Sequence, residues 1–319
     1  MADRLITDTN ETEARPFLKW AGGKTQLLDA IEERLPPQIK ESEQIDRYVE
    51  PFVGGGAVFF YLQDKYNISR SYLFDINREL MVGYRAIQRD PDSLMERLRD
   101  LEDAFLAKSQ ADRKAQFYEI RDTYNHLMAG FDYENYSIEW VDRATHLIFL
   151  NKTCYNGLFR QNRKGEFNVP YGRYVNPTIC DADNIAAVHR ALQQAELFCA
   201  DFTAAEKFID DRTFVYFDPP YRPLNATSSF TGYFKDDFDD EDQRKLAGFF
   251  TEMAGRGARL LLSNSDPKNE DPEDTFFDDL YAGYHIDRVP AKRFINCNGR
   301  KRGAIDELII YNYDPDDQE

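Results

Sequence analysis

The sequence has no uninterrupted run of about 18 apolar residues, the length that a membrane-spanning helix needs. Residues 1–15 are polar and acidic and lack the apolar centre of a secretion signal. Cysteine is scarce, with 4 residues in a chain of 319 and no C-x-x-C spacing. Such scattered cysteines are typical of reduced thiols in a cytoplasmic protein. Together with the missing apolar run and signal, they lead us to expect a cytoplasmic protein with no membrane association and no metal site.

Positive charge is also in deficit, since 40 lysines and arginines face 57 acids and the formal net charge is −17. This charge argues against a nucleic-acid partner, but binding depends on local patches rather than on the average. Two segments are basic: residues 151–174, where Glu166 is the one acid, and residues 292–302, which contain no acid. These islands indicate a protein that repels DNA except at one face. Chance clustering on a solvated loop is the alternative.

Short apolar runs that suit strands recur along the chain, at residues 48–53, 72–74, 197–199, 213–217, 259–262, 284–289 and 307–313. Helical patterns separate most of them, which predicts an α/β protein with a doubly wound, mostly parallel sheet of Rossmann-like type. The stretch between the second and third runs is rich in charge and helical patterns. We therefore expect a catalytic domain of residues 1–77 and 181–319, and a helical subdomain of residues 78–180 inserted into it.

A glycine turn, Gly54 to Gly56, follows the first strand run, and Asp75 ends the second. Glycines allow a tight turn and a close approach of backbone to a ligand, and an acid at this place can accept both hydroxyls of a ribose. The dinucleotide pattern G-x-G-x-x-G fails because Phe59 occupies its sixth position. The pattern of a phosphate-binding loop does not fit the segment around Lys24, because Leu18 occupies a position that requires glycine. A plain glycine-rich loop remains an alternative.

The most specific feature is Asp218-Pro219-Pro220-Tyr221, which follows the apolar run 214–217. It lies where a strand ends, the edge at which open α/β sheets place their sites. The prolines fix their φ angles and donate no amide hydrogen, so the backbone carbonyls are held rigidly as acceptors. A proline turn with an aspartate cap is the structural alternative.

This tetrapeptide suits methylation of an exocyclic amine, which is a poor nucleophile because its lone pair is delocalised into the ring. The Asp218 carboxylate and the Pro219 carbonyl can each accept one amine hydrogen, which orients the lone pair and stabilises developing positive charge. Tyr221 can stack on the base. With a sulfonium methyl donor, positioning supplies most of the catalysis, and a base inside a duplex has to be flipped out to reach the site.

Five segments occur in one order along the chain: FLKWAGGK (17–24), EPFVGGG (50–56), YNGLFR (155–160), GEFNVPYGRY (165–174) and DPPY (218–221). This set resembles the Dam family of class α N6-adenine DNA methyltransferases, in particular its GATC-methylating restriction–modification members. The resemblance spans residues 16–313 and implies a methyltransferase fold with an inserted target-recognition subdomain. It implies methylation of adenine N6 in duplex DNA at GATC, with S-adenosyl-L-methionine as methyl donor.

The resemblance also implies roles for individual residues. Positions that match catalytic residues of the family are Asp218, Pro219, Pro220 and Tyr221. Positions that match cofactor contacts are Trp20, Lys24, Phe52, Gly54, Gly56, Asp75, Asp201, Phe202 and Asp218. Trp20 as a core aromatic is the alternative there.

Positions that match DNA contacts are Lys19, Tyr155, Asn156, Leu158, Arg160, Pro170, Arg173 and Tyr174. Arginine and lysine pair well with guanine edges and apolar groups meet the thymine methyl, and Tyr155 can fill the space that a flipped base leaves. Alternatively, Tyr155 packs inside the hairpin, and Lys19 and Arg160 bind phosphates without reading sequence. Residues 296–302 are interpreted as a basic loop on the DNA backbone.

Two rival functions remain open on the sequence. An amino-methyltransferase that acts on another DNA site or on RNA would use the same tetrapeptide, although the hairpin favours DNA. A regulator that binds DNA without turnover is the second rival, and the intact Asp218 motif argues against it. A cognate restriction endonuclease that cuts the same site is a candidate partner.

Overall fold

A computed structural model describes residues 12–222, 238–292 and 304–315. Within these ranges the strands are β1 (Gln44–Ile45), β2 (Arg47–Glu50), β3 (Asn67–Ile68), β4 (Ser71–Asp75), β5 (Ala195–Cys199), β6 (Thr213–Phe217), β7 (Arg259–Ser265), β8 (His285–Lys292) and β9 (Ala304–Tyr311). Seven of them form one sheet in the order β5-β4-β2-β6-β7-β9-β8. Every described strand pair of this sheet is parallel except those made by β9. The predicted α/β class and mostly parallel sheet are therefore confirmed.

Helices cover both faces of the sheet. They are α1 (Leu28–Glu33), α2 (Pro37–Ser42), α3 (Ala57–Lys65), α4 (Arg78–Arg89), α5 (Pro91–Leu106), α6 (Gln110–Leu127), α7 (Ile138–Thr153), α8 (Ala182–Ala191), α9 (Asp240–Gly255) and α10 (Phe276–Leu280). Successive strand residues point to opposite faces, so Tyr216 packs in the core with α1, α3, α4 and α8, while Val215 packs with α9 and α10. Strands β4 and β6 are buried along their whole length, as expected for a sheet covered on both faces.

Between β4 and β5 the chain forms helices α4 to α8. The division into a catalytic domain and a subdomain of residues 78–180 stays a prediction. Helix α4 begins three residues after β4 and packs against α5, α7 and α8. The core beneath α4 continues into α5, α6 and α7 through Leu94, Phe117 and Phe149, one residue from each helix. Because α4 packs against β4 and also against α5 and α7, the sheet and these helices share one core. None of the helices in the described ranges is long and apolar enough to cross a membrane.

An irregular hairpin follows α7. The Tyr155 amide donates to the Pro170 carbonyl at 2.8 Å, and single antiparallel bridges join Cys154 to Tyr171 and Gln161 to Phe167. Gly172 lies so close to the other arm that a Cβ there would come within 2.5 Å of the Cys154 carbonyl oxygen. The predicted loop or hairpin of residues 151–174 is thus a hairpin, although its first three residues complete α7.

The winding of the sheet reverses between β2 and β6, and we refer to the space at the carboxyl ends of these two strands as the crevice. From β2 the chain moves outward to β4 and β5 and then returns to β6 on the other side of β2. Open α/β sheets bind ligands where the direction of winding reverses in this way. The glycine turn follows β2 and the Asp218 tetrapeptide follows β6, so both lie at this crevice.

Candidate active site and nucleic-acid interface

The glycine turn is closed by hydrogen bonds from its own neighbours. The Gly54 and Asn77 amides donate to the two Asp75 carboxylate oxygens at 3.0 and 2.8 Å. Gly56 has a φ of 74°, and a Cβ there would lie 2.5 Å from the Tyr84 hydroxyl. Glycine is therefore required at this position for both backbone and steric reasons.

Asp218 contacts two side chains from other segments of the chain. The Lys24 Nζ lies 2.7 Å from its Oδ1, and the Ser263 hydroxyl donates to the same oxygen at 3.3 Å. Lys24 is buried, and its Nζ also donates to the Gly22 carbonyl and lies 4.4 Å from the centre of the Tyr221 ring. Within the described ranges, Asp218 Oδ2 accepts no hydrogen bond.

Of the two proline carbonyls, as of the two Asp218 oxygens, one has a protein donor and the other has none among the described residues. The Gln243 side chain donates to the Pro220 carbonyl at 3.1 Å, and Asn264 donates to Gln243 at 3.2 Å. Gln243 and Asn264 are fully buried. In the part of the chain that the structure describes, the Pro219 carbonyl has no donor. One oxygen of Asp218 and one proline carbonyl are thus held by protein groups, while no described group donates to Asp218 Oδ2 or to the Pro219 carbonyl.

Three carboxyl groups lie at the crevice: the buried Glu50 and Asp75, and the partly exposed Asp218. Burial raises the pKa of Asp75 to about 6, although the two backbone amides lower it. Burial also raises the pKa of Asp218, and the Lys24 ammonium opposes that rise. Burial raises the pKa of Glu50 well above its ordinary range, against the lowering effect of the Tyr48 hydroxyl, which donates to it at 2.7 Å.

Tyr221 is fixed through its hydroxyl, which donates to Glu307 Oε2 at 2.5 Å. Glu307 and the supporting residues Ser263, Gln243 and Asn264 were not predicted from the sequence. These residues lie 23 to 86 positions from the motif residue that each one contacts or supports. A polar residue inside a strand or helix pattern was the available signal, but it does not identify the partner.

The remaining predicted cofactor positions surround the same turn. The Trp20 ring lies against Gly54, whose added Cβ would be 3.1 Å from it, and stacks on Phe159 with centroids 4.9 Å apart. Phe52 packs against the buried Phe202 at 5.5 Å. Asp201 is exposed and accepts from the Thr203 amide, which caps the 3₁₀ turn Phe202–Phe208.

Three predicted DNA contacts are brought together by one buried amide. Asn151 accepts from the Lys19 amide at 2.9 Å and donates to the Lys19 and Gly157 carbonyls at 3.0 and 2.9 Å. The Lys19 side chain is exposed, as is Tyr155, whose exposed fraction is 57%. Asn156 has a left-handed φ of 59°. The structure thus places Lys19, Tyr155 and Asn156 on neighbouring segments that share Asn151.

The other predicted DNA contacts lie along the hairpin. Arg160, Pro170, Arg173 and Tyr174 are exposed, and Leu158 is half-buried. Arg160 donates to the Asn168 side chain at 2.8 Å, so its guanidinium is held at the hairpin surface. Phe159, Phe167, Val169 and Tyr171 form the buried side. Of the second basic island, residues 293–302, including the predicted DNA-backbone loop at 296–302, lie outside the described residues.

Among the described residues, no group of three or more histidine, cysteine, aspartate or glutamate side chains is arranged to hold a metal ion. The expectation of a metal-free site stays a prediction.

Comparison with known proteins identifies the family. The profile of the D12 class N6 adenine-specific DNA methyltransferases matches residues 20–295. The Type II methyltransferase M.MjaIII of Methanocaldococcus jannaschii is 51% identical over 302 residues, which cover 94% of this chain and 100% of that protein. A Type II methyltransferase of Lactococcus lactis, M1.LlaDCHI, is 34% identical over 97% of this chain and 99% of its own. The DNA adenine methylase of Escherichia coli is 34% identical over 92% of this chain and 94% of its own. The chain therefore belongs to the D12 class N6 adenine-specific DNA methyltransferases and is an adenine-specific DNA methyltransferase.

Proposed function

We propose that the enzyme uses S-adenosyl-L-methionine to methylate the N6 amine of adenine in duplex DNA at GATC, with the adenine flipped into the crevice. The observation that carries this proposal is the pair of acceptors, Asp218 Oδ2 and the Pro219 carbonyl, which no described protein group occupies. Two acceptors match the two hydrogens of an exocyclic amine. Accepting both hydrogens localises the nitrogen lone pair and stabilises positive charge as the methyl group is transferred.

The chain's own residues bind and orient the reacting groups. Gln243 and Asn264 hold the Pro220 carbonyl, which fixes the peptide planes beside Pro219. Lys24 lies on the other Asp218 oxygen, Oδ1, and stabilises the ionised carboxylate, which accepts a hydrogen bond more strongly than the neutral acid does. Tyr221 provides an aromatic face for the base. Such preorganised acceptors need no rearrangement as charge develops.

The crevice fits a cationic methyl donor that carries a ribose. S-adenosyl-L-methionine supplies an electrophilic methyl group on a positively charged sulfur. The Asp218 carboxylate, which Lys24 stabilises, provides charge of the opposite sign, as does Asp75 when it is ionised. Asp75 also has lone pairs left for ribose hydroxyls beyond its two backbone donors. We assign the donor to the residues around the glycine turn: Trp20, Lys24, Phe52, Gly54, Gly56, Asp75, Asp201 and Phe202.

The inserted helices and hairpin, residues 78–180, are proposed as the target-recognition subdomain. Asn151 bonds to the segments of Lys19 and of Gly157, which follows Tyr155 and Asn156. In this arrangement Lys19 would read a base, and Tyr155 and Asn156 would fill the gap that the flipped adenine leaves in the duplex. Arg160, Pro170 and Arg173 line the exposed side of the hairpin and would read or position the remaining base pairs.

A methylation assay tests the proposal. The enzyme is incubated with methyl-labelled cofactor and either a duplex that contains one GATC or the same duplex already methylated at that adenine. We expect label in the first duplex and not in the second, and protection of the first against a methylation-sensitive nuclease that cuts GATC. Label without protection would show that another site is methylated.

Variants separate the chemistry from binding. Asp218→Ala is expected to abolish methyl transfer while leaving DNA binding largely intact, because it removes an acceptor and not the DNA surface. Asp64→Ala, which changes an exposed carboxylate on α3, is the matched control and should retain full activity. Full activity in Asp218→Ala would refute the assigned chemistry.

A cognate restriction endonuclease is the proposed partner in the cell. Two of the relatives are named Type II methyltransferases, which supports a role in restriction–modification. If this role is right, the neighbouring genes encode a nuclease that cuts the unmethylated form of the same site and is blocked by the methylated form.

A further inference from the structure

Tyr221 is held at two places by residues from distant parts of the chain. Its hydroxyl donates to Glu307 Oε2 at 2.5 Å, and the Lys24 ammonium lies 4.4 Å from its ring centre. An aromatic side chain whose hydroxyl and ring face are both in contact has little freedom to rotate. The ring plane is therefore set by groups outside the tetrapeptide.

Glu307 reaches the crevice because β9 runs against the other strands. Strand β9 pairs antiparallel with β7, and Glu307 lies opposite Ser265, the last residue of β7. The first half of a reversed strand lies at the carboxyl edge of its parallel neighbours, which is the edge where Asp218 and Tyr221 follow β6. The Glu307 charge is close enough to Asp218 to raise the pKa of that carboxyl.

We propose that Glu307 is a positioning residue that fixes the Tyr221 ring through its hydroxyl and so sets where the target adenine stacks. This inference rests on the proposed function, because it takes Tyr221 as the stacking face for the flipped base. Glu307 touches neither substrate in this proposal. Its effect passes through Tyr221, and a carboxylate accepts a phenol hydrogen more strongly than a neutral oxygen does.

A double-mutant cycle tests the proposal. Glu307→Ala frees the Tyr221 hydroxyl, and the expected result is a single-turnover methyl-transfer rate about tenfold to a hundredfold lower, because small misplacements of reacting groups cost factors of this size. The dissociation constant for S-adenosyl-L-methionine should stay unchanged. Glu307→Gln keeps an acceptor oxygen and should recover most of the rate.

The second half of the cycle uses Tyr221→Phe, which keeps the ring and removes the hydroxyl. Adding Glu307→Ala to Tyr221→Phe should lower the rate no further, because the contact is already lost. An equal loss in both backgrounds would show that Glu307 acts on folding or on another group, and a wild-type rate in Glu307→Ala would also overturn the proposal. Glu307→Thr, which suits a strand, repeats the cycle if the alanine variant does not fold.

Two controls separate this inference from the proposed function. Asp306→Ala changes the neighbouring, exposed carboxylate of β9 and should leave the rate unchanged. Asp218→Ala reports on the site itself. An inactive Asp218→Ala with a fully active Glu307→Ala would refute the positioning role alone, whereas a fully active Asp218→Ala would refute the proposed site.

Discussion

The contact between Lys24 and Asp218 places a cation directly on the carboxylate of the candidate site. The resemblance implied a cofactor contact for Lys24, and the structure places its Nζ 2.7 Å from the Asp218 carboxylate. Burial alone would favour the protonated acid, and the adjacent ammonium opposes this by stabilising the ionised form. The two residues lie 194 positions apart, a pairing that no local pattern predicts.

Lys24→Met should shift the pH dependence of the reaction. With the ammonium removed, burial remains and the pKa of Asp218 rises further, so less of the carboxylate is ionised at a given pH. If the ionised form is the active one, the acidic limb of the rate–pH profile moves to higher pH. Single-turnover rates at saturating cofactor between pH 5 and 9 measure this shift. Lys40→Met, an exposed lysine on α2, is the control, and the same profile in both variants would contradict the prediction.

At the scale of elements, a buried ion pair joins helix α4 to helix α7. Arg143 on α7 donates to both oxygens of Glu79 on α4, at 2.7 and 2.6 Å, and both residues are buried. The hydroxyls of Tyr124 and Tyr133 donate to the same carboxylate. Such a fully bonded pair fixes the angle between the helices, and losing one partner leaves a charge without compensation.

Glu79→Ala should lower the free energy of unfolding by about 3–5 kcal/mol, because Arg143 would be left buried and unpaired. Urea denaturation of the apoprotein measures this change. The matched control is Asp142→Ala, which changes the residue next to Arg143 on α7, breaks its solvent-exposed pair with Arg97 and should cost at most about 1 kcal/mol. Equal losses in the two variants would show that the buried pair has no special role.

Asn151 is the second junction between elements, since it joins α7, the segment of Lys19 and the turn of Gly157. Asn151→Ala leaves three backbone groups without this partner, each worth about 1 kcal/mol. We expect weaker binding of the cognate duplex, by about tenfold, and an unchanged dissociation constant for the cofactor. Fluorescence anisotropy with labelled duplex measures both the cognate site and a site with one altered base pair.

The chain offers a close control for Asn151. Asn184 on α8 is an equally buried amide that accepts from the Arg15 amide and donates to the Arg15 carbonyl, both at 3.0 Å. Asn184→Ala should cost stability in the same way without changing DNA affinity. If both variants weaken DNA binding equally, the effect of Asn151 is a general loss of stability.

The strands were predictable from sequence and their partners were not. The apolar run 213–217 is β6 to the residue, and the other runs differ from the observed strands by a few positions at their ends. Buried parallel strands are continuous apolar runs, so they are easy to recognise. The two-residue strands β1 and β3 were missed because so short a pair has no periodicity. The reversal of β9 was missed as well, since an apolar run does not indicate direction.

At the scale of the whole molecule, charge is divided between faces. The chain has a formal net charge of −17, yet Arg160, Arg163, Lys164 and Arg173 are exposed on one hairpin. Positive groups that neutralise phosphates release counterions, so their number sets the salt dependence of DNA binding. A chain that is acidic elsewhere gains little from non-specific contacts.

The variant Arg163→Ala, Lys164→Ala should make the slope of log affinity against log salt shallower by about 1–2, because each lost phosphate contact removes about one unit. Titrations of one duplex between low and moderate salt measure the slope. Arg70→Ala, Arg212→Ala is the control, since both arginines are exposed just before β4 and β6, at the opposite edge of the sheet. A change of the same size in the control would show that overall charge, rather than the hairpin, governs binding.

Trp20 contacts both halves of the candidate site, because its ring lies on Gly54 and stacks on Phe159 of the hairpin. A shift in either neighbour must be accommodated by the other. Occupancy of one ligand site would then alter the affinity of the second, and thermodynamic linkage makes this coupling reciprocal. If bound cofactor raises the affinity for DNA by some factor, bound DNA raises the affinity for the cofactor by the same factor. The ternary complex is therefore favoured equally whichever ligand binds first.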